Sequence, residues 1–361
     1  MKQKGIDTQA VKDLMKDSTS AVTALFTRSM GQAAAPKGSV GVDIGSYAVK
    51  VARLESSKDG RRLLGFGVTK VLDRNYLDAL SKSLAAAGAA ADQSAAIAVS
   101  GQGVVSRYIE LPLMNKSDLE SSMRFEIEKY VPFALAEVAA DYAVVQELKE
   151  KAKMSILIVA AKNDLVQKKS ELARQVNLNL RAIDLDCLAL ANFYTEMGSA
   201  KKAGCVGLVN IGKTTTNMDI LVDGFPHLSR DIFVGGDDIT KKICEVLEME
   251  YAQAEALKHE PATRQKELYA VWDPVLNNLA AEIRVSLDYF EARLNKTVEK
   301  VVITGGASRL AGLKDYLHQL LGIEVQTLDF VDRLLCEETV DRRVLKAEAD
   351  CLAVALGLAL R

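Results

Sequence analysis

The chain has 361 residues, 49% hydrophobic and 26% charged, with 46 basic against 48 acidic residues and a net charge of −2. That is ordinary globular composition, long enough for two domains or one two-lobed unit, and its balanced charge excludes a general attraction to nucleic acid or anionic lipid. Five dispersed cysteines suit free thiols in a reducing compartment, and three widely spaced histidines (His227, His259, His318) argue against a His/Cys metal site.

Residues 1–30 open with an amphipathic pattern. Val11, Leu14, Met15, Val22, Leu25 and Phe26 fall within roughly a 120° arc at ~100° per residue, with Lys12, Lys16 and Asp17 outside it. The pattern predicts a short helix, either docked on the fold or offered to a partner or a membrane surface. GQAAAPKGS at 31–39 then breaks it, as a linker would. The N-terminal stretch lacks the continuous apolar core of a signal peptide. The late apolar run CLAVALGLAL is about half of the ~20 residues that a transmembrane helix needs. The expectation is a cytoplasmic protein whose membrane contact is indirect or made through residues 8–30.

From Val40 the texture becomes that of a sheet with helices. VGVDIG reads as a strand ending in Asp-Ile-Gly, Gly45-Ser46-Tyr47 as a tight turn, and AVKVARLE and Leu63 to Val71 as two more strands. NYLDALSKSLAAAG reads as a helix stopped at Gly88, and SAAIAVSG as a buried strand. This order predicts a mixed sheet. A different block starts near Val104 with the strand VVSRYIELP. The helix SDLESSMRFEIEKYV follows, opened by a Ser117-x-x-Glu120 capping box and stopped by Pro132, with Leu119, Met123, Ile127 and Tyr130 on one face. DYAVVQEL and MSILIVAA read as strands joined by a solvated tip at 147–153, and NDLVQKKSELARQV as a helix with Asn163 as N-cap. Residues 104–175 are expected to form an inserted subdomain.

The chain then restarts. CVGLVNIGKTTTNMDILVDG repeats the logic of VGVDIGSYAVKVARLES, aligning Val-Asp-Ile-Gly at 42–45 with Val-Asn-Ile-Gly at 209–212. VVITGGASRL holds the place in the second half that AAIAVSGQGV holds in the first. Matched turns in matched order predict a duplicated lobe. WDPVLNNLAAEIRVSLDYFE reads as a long helix of the second lobe, with Leu279, Ile283 and Leu287 in its core.

The repeated turns carry the chemistry. Glycine permits close backbone approach and positive φ. Successive N–H groups of such a turn make a nest for anions, and an acid at the strand end can hold a water on Mg²⁺. One Asp-x-Gly hairpin is common in proteins, but two facing copies would clamp a triphosphate from both sides. Gly305-Gly306 after VVIT and Gly235-Gly236 in FVGGDDIT add bare backbone against which a ribose or adenine can lie.

This arrangement resembles the superfamily of actin, the heat-shock chaperones and the sugar kinases. Within it, the chain is most similar to the PilM family of type IV pilus assembly, itself similar to the division protein FtsA. The resemblance covers about residues 38–361 and is most specific in LPLMNKSDLESSMRFEIEKYVPFALAEVAADYAVV, AIDLDCLALANFY and GLALR. It implies an α/β, actin-like (ribonuclease-H-like) two-lobed fold with an FtsA/PilM-type subdomain inserted in the first lobe. The implied divisions are a helix and linker at 1–37, the first part of the first lobe at 38–103 and the insert at 104–175. The end of that lobe and a connecting helix follow at 176–200, the second lobe at 201–340, and a C-terminal helix packing back on the first lobe at 341–361.

The resemblance also implies residue roles. Asp43 would stand near Mg²⁺ through water, Gly45 and Ser46 would contact the β/γ-phosphates, and Lys50 would bind phosphate. Asp186 would orient water. Gly212, Lys213, Thr214 and Thr215 would form the second phosphate loop, with Gly235 and Gly236 bordering the ribose and phosphates. Glu282 would approach the nucleoside, and Gly305, Gly306 and Ser308 would line its pocket. One departure matters: Asn210 stands where many hydrolytic relatives have Asp. A neutral amide supports Mg²⁺ and an attacking water less well than a carboxylate, so the expectation is ATP binding with slow or negligible turnover.

The leading function is a nucleotide-dependent scaffold of a pilus or related secretion platform. It implies an insert that receives the N-terminal cytoplasmic peptide of a PilN-like inner-membrane protein in a groove beside the first lobe. Helix 117–131 and Val131-Pro132-Phe133 are candidate walls, or plain core packing. Other platform or motor components and a homo-oligomer are further possible partners. A small-molecule kinase or phosphatase of the same superfamily, and an FtsA-like filament attached to the membrane, are the alternatives.

Overall fold

A computed structural model describes residues 38–58, 60–90, 93–197, 204–260 and 264–361. The amphipathic segment at 1–30 and its linker lie outside the described residues.

The first half runs β1 (Gly38–Ile44), β2 (Ala48–Ser57), β3 (Gly60–Lys70), α1 (Tyr76–Ala86) and β4 (Ser94–Val99). It continues with β5 (Val104–Pro112), α2 (Lys116–Tyr130), β6 (Val138–Leu148), β7 (Lys153–Lys162), α3 (Asn163–Gln175), β8 (Asn179–Leu185) and α4 (Asp186–Glu196). The second half begins with β9 (Cys205–Ile211), β10 (Thr216–Val222), β11 (Phe225–Ile232), α5 (Gly236–Leu247), α6 (Tyr251–His259) and α7 (Gln265–Leu294). It ends with β12 (Lys300–Thr304), α8 (Leu313–Leu321), β13 (Glu324–Thr327), β14 (Leu335–Cys336) and α9 (Arg342–Leu358).

Two sheets use one strand plan twice. Their orders are β14-β3-β2-β1-β4-β8 and β11-β10-β9-β12-β13. In each, an antiparallel three-strand meander is extended by two parallel strands. This is the duplicated lobe that the matched turns predict, arranged as the actin-like two-lobed α/β fold that the resemblance implies. The repeat also locates the insert. α8 connects β12 to β13 as α3 connects β4 to β8, so α3 is the first lobe's own helix and the inserted material ends with β7, before the expected boundary at 175. β14 pairs with β3, so the chain has crossed back into the first lobe before the expected boundary at 341.

The insert is an antiparallel sheet of order β5-β7-β6. Its central strand β7 is buried on both faces, which is why MSILIVAA reads as one apolar run. Side chains alternate between the faces. Ile156, Ile158 and Ala160 pack with Leu119, Met123 and Ile127 of α2. Leu157, Val159 and Ala161 pack with Val166 and Ala173 of α3 and with the first-lobe core. α2 therefore covers the insert face turned away from the first lobe, and Val131 is buried in that outer core. Two caps differ from expectation. The backbone is still extended at Asn115, whose side chain accepts from Asp118 N at 2.9 Å, so Asn115 starts α2 in place of a Ser117–Glu120 box. Asn163 is already helical, and its Nδ2 donates to Ala136 O at 3.0 Å.

A shared core joins the lobes. Leu190 and Phe193 of α4 and Leu352 and Leu356 of α9 pack between Ala52 and Leu54 of β2 and Val206 and Leu208 of β9. In the second lobe, Leu279, Ile283 and Leu287 of α7 are buried as expected. No helix among the described residues is long and apolar enough to cross a membrane.

Candidate functional site

A cleft of about 1300 Å³ opens between the lobes, at the ends of β1 and β9. The two sequence repeats fold into equivalent hairpin turns here. Gly45 N donates to Ala48 O at 3.2 Å, and Gly212 N donates to Thr215 O at 3.0 Å. The turns touch across the cleft, with Ser46 Oγ and Thr214 Oγ1 3.1 Å apart.

Strand register sets what flanks each turn. Asp43 on β1 faces Lys50 on β2, and Asn210 on β9 faces Asn217 on β10, at the same place in the repeat. In the first lobe this is an ion pair, Lys50 Nζ to Asp43 Oδ2 at 2.8 Å, both side chains largely buried. Burial works against the Lys50 charge, but the Asp43 carboxylate more than offsets it and the lysine pKa is raised. In the second lobe it is an amide pair. Asn210 Nδ2 donates to Asn217 Oδ1 at 3.0 Å, and Asn217 Nδ2 donates to Asp231 Oδ1 at 2.7 Å. Asp231 Oδ2 in turn accepts from Gly101 N at 2.5 Å, across to the base of the insert.

A third group of residues comes from the first lobe. Asp186 opens α4, and Ser100 Oγ donates to its Oδ2 at 2.5 Å, while Oδ1 is buried with no hydrogen-bond partner. Burial raises this carboxyl to about 6, and neighbouring Asp43 pushes the same way, against the opposing pull of Lys169 and the Ser100 bond. Lys169, on α3, donates to Ala98 O at 2.8 Å and to Ile44 O at 3.1 Å.

The glycines divide by role. Gly305 has φ +92° and donates to Asp350 O at 2.7 Å; a Cβ there would lie 2.5 Å from Asn210 Oδ1. A Cβ on Gly306 would meet nothing within 4 Å, so this residue presents flat backbone to the cleft. Gly235 lies behind the site. A Cβ there would come within 2.4 Å of Lys213 O, so its bareness lets the start of α5 dock on the second turn, where Gly236 N donates to Gly212 O at 2.9 Å.

The cleft thus gathers Asp43, Gly45, Ser46, Lys50, Asp186, Asn210, Gly212, Lys213, Thr214, Thr215, Gly236, Gly305 and Gly306. Three expected residues do not line it. Ser308 is buried and donates to Gly305 O at 2.7 Å, pinning that turn. Gly235 has the packing role given above. Glu282 lies on α7 with its carboxylate 2.5 Å from Arg230 Nη2, so it is held away from the cleft. Sequence reasoning missed Lys169, Asn217 and Lys258. Lys258 is 6% exposed and donates to Gly236 O at 3.1 Å and Thr240 Oγ1 at 2.8 Å. Only Asn217 had a signal, since it follows Asn210 by the spacing that separates Lys50 from Asp43.

This donor set fits a nucleotide. The two equivalent hairpin turns meet where phosphates would lie, and Gly306 offers room for a flat group. No group of three or more His, Cys, Asp or Glu among the described residues could hold a metal ion by itself. A Mg²⁺ ion here would keep water and phosphate ligands, as that ion commonly does.

Comparison with known proteins agrees with the fold and defines the family. The chain is similar to the solved PilM-PilN type IV pilus biogenesis complex, with 25% identity over 90% of this chain and 98% of that chain, at a TM-score of 0.78. It is similar in fold to the ethanolamine utilization protein EutJ from Carboxydothermus hydrogenoformans, with 15% identity over 96% of this chain and 98% of that one, at a TM-score of 0.53. Residues 41–361 match the family model described as type IV pilus assembly protein PilM, and the chain belongs to that family.

Proposed function

We propose that this chain is an ATP-binding scaffold of a type IV pilus assembly platform, with slow or negligible hydrolysis. Mg·ATP would sit with its phosphates between the Gly45-Ser46 and Gly212–Thr215 turns and its nucleoside toward Gly306. The observation that carries this reading is the asymmetry of the two repeats. One side offers the Asp43–Lys50 ion pair and the other the Asn210–Asn217 amide pair. The first can hold a hydrated cation and a phosphate, whereas the second lacks the carboxylate that would help polarise a water. Asp186 remains as a base, with its Oδ2 held by Ser100 and its buried Oδ1 without a partner.

The partner in this reading is the N-terminal cytoplasmic peptide of a PilN-like inner-membrane protein. The solved relative pairs PilM with PilN. An edge strand of the insert offers backbone for an extended peptide, and β6 is such an edge. The outward position of α2 counts against it as a groove wall beside the first lobe.

The test loads purified full chain with stoichiometric Mg·ATP and follows bound nucleotide and free phosphate together. ATP should stay bound and intact for many minutes, and Asp43→Ala should weaken retention by about tenfold or more. Phosphate release at about 1 s⁻¹ or faster, an ordinary enzyme rate, would overturn the scaffold reading.

A further inference from the structure

Six lysines line the cleft: Lys50, Lys70, Lys168, Lys169, Lys213 and Lys258. Five already hold a charged or aromatic partner. Lys50 is paired with Asp43 at 2.8 Å, Lys168 with Asp164 at 3.3 Å and Lys258 with Glu255 at 2.7 Å. Lys70 and Lys213 sit over the rings of Tyr47 and Tyr251, at 5.4 and 5.5 Å from their centroids. Lys169 differs from them. Its half-buried ammonium hydrogen-bonds only two neutral carbonyls, Ile44 O and Ala98 O, which leaves one of its three N–H donors for a further acceptor, while Asp186 acts on its charge only through space.

Its place is as specific as its chemistry. Ile44 is the last residue before the Gly45-Ser46 turn, and Ala98 precedes Ser100, the partner of Asp186. Lys169 therefore enters from the first-lobe side, near Asp186 and at the end of the strand that carries Asp43. The open backbone of Gly306 lies on the second lobe. A nucleotide with its nucleoside at Gly306 would bring the far end of its phosphate chain toward Lys169.

We propose that Lys169 is the specificity residue by which this cleft prefers a nucleoside triphosphate to a diphosphate. Its free donor takes an oxygen of the terminal phosphate, so the bond exists only when the third phosphate is present. The inference rests on the ATP reading above.

Two measurements test it. The first compares the affinities of wild type and Lys169→Met for Mg·ATP and Mg·ADP by calorimetry. Wild type should prefer ATP by about tenfold, as a charge-assisted hydrogen bond implies, and Lys169→Met should bring the ratio close to one while leaving the ADP affinity within about twofold. Lys169→Arg, which keeps the charge, should keep most of the preference. The second needs no variant: an amine-acetylating reagent on wild type, read by mass spectrometry, should label Lys169 more slowly with a non-hydrolysable ATP analogue than with ADP. An unchanged ATP-to-ADP ratio in Lys169→Met, or equal labelling of Lys169 under both nucleotides, overturns the proposal. If wild type binds neither nucleotide, the ATP reading itself fails.

Discussion

Asp219 shows what a single buried acid does to this fold. It has no exposed surface, Ser229 Oγ donates to its Oδ1, and its Oδ2 has no hydrogen-bond partner. The same Ser229 Oγ lies 3.0 Å from the hydroxyl of Tyr108 on β5, so the acid stands where the insert meets the second lobe. Burial raises its pKa to about 7; the Ser229 bond opposes the rise and Asp231 adds to it. The folded value lies above the unfolded one, so the native state holds the proton more tightly. The stability this group contributes is therefore present at low pH and is lost as pH rises from about 4 to about 7. Asn at this position cannot ionise. Asp219→Asn should therefore gain over wild type as pH rises, by about 2 kcal/mol between pH 5 and pH 8 in denaturant unfolding. A constant difference across that range would show that Asp219 is ionised in the folded protein throughout.

The cleft residues divide at this same scale into legible and illegible. Asp43, Gly45, Gly212 and Gly305 were legible because each ends a strand whose pattern repeats. Asn217 was legible in principle by the same spacing. Lys169 was not, because it reaches Ile44 from 125 residues away, and nothing local distinguishes it from neighbouring Lys168. Glu282 misled because a carboxylate on a long helix says nothing about direction, and Arg230 fixes its direction away from the cleft.

At the scale of elements, the sharpest constraint is how closely α9 lies against its neighbours. A Cβ on Gly357 of α9 would fall 1.8 Å from Ala189 O of α4. A Cβ on Gly41 of β1 would fall 1.9 Å from Ala355 O of α9. Both obstacles are backbone and cannot rotate away. Gly357→Ala should therefore cost about 3 kcal/mol or more, seen as a fall of several degrees in melting temperature. Gly306→Ala is the contrast, since its Cβ would meet nothing within 4 Å; it should leave stability within about 0.5 kcal/mol of wild type. Equal losses in the two variants would contradict this account of the α9 contact. The elements themselves were readable because their apolar periods are clean: β5 matches the stretch read as VVSRYIELP, and α7 contains the long helix expected around Trp272. Element ends were less readable. Asn115 and Ser117 are both good cap residues, and the choice between them follows from where the preceding strand releases the chain.

Across the whole molecule, the two lobes are held by the helices between them, and the chain end closes that arrangement. α9 reaches the second lobe through Asp350, whose carbonyl accepts from Gly305 N at 2.7 Å and from Thr304 Oγ1 at 2.9 Å. Its far end returns to the first lobe, where the Arg361 guanidinium pairs with Asp184 at the edge of the first sheet, both side chains almost wholly buried. This gives a physical reason for the terminal arginine in the GLALR stretch, which the sequence alone offered only as a resemblance. A buried pair of this kind adds little over an apolar replacement, but removing one partner strands the other charge. Arg361→Met should therefore cost about 3–5 kcal/mol by leaving the Asp184 carboxylate unpaired. Asp184→Asn combined with Arg361→Met removes both charges and should recover most of that loss. The same comparison should appear in ligand binding, because Asp350, whose carbonyl holds the turn at Gly305, lies on the helix that Arg361 anchors. Nucleotide affinity should fall in the single variant and return in the double one. If the double variant is as unstable as the single, the pair acts through packing of the arginine stem and not through charge.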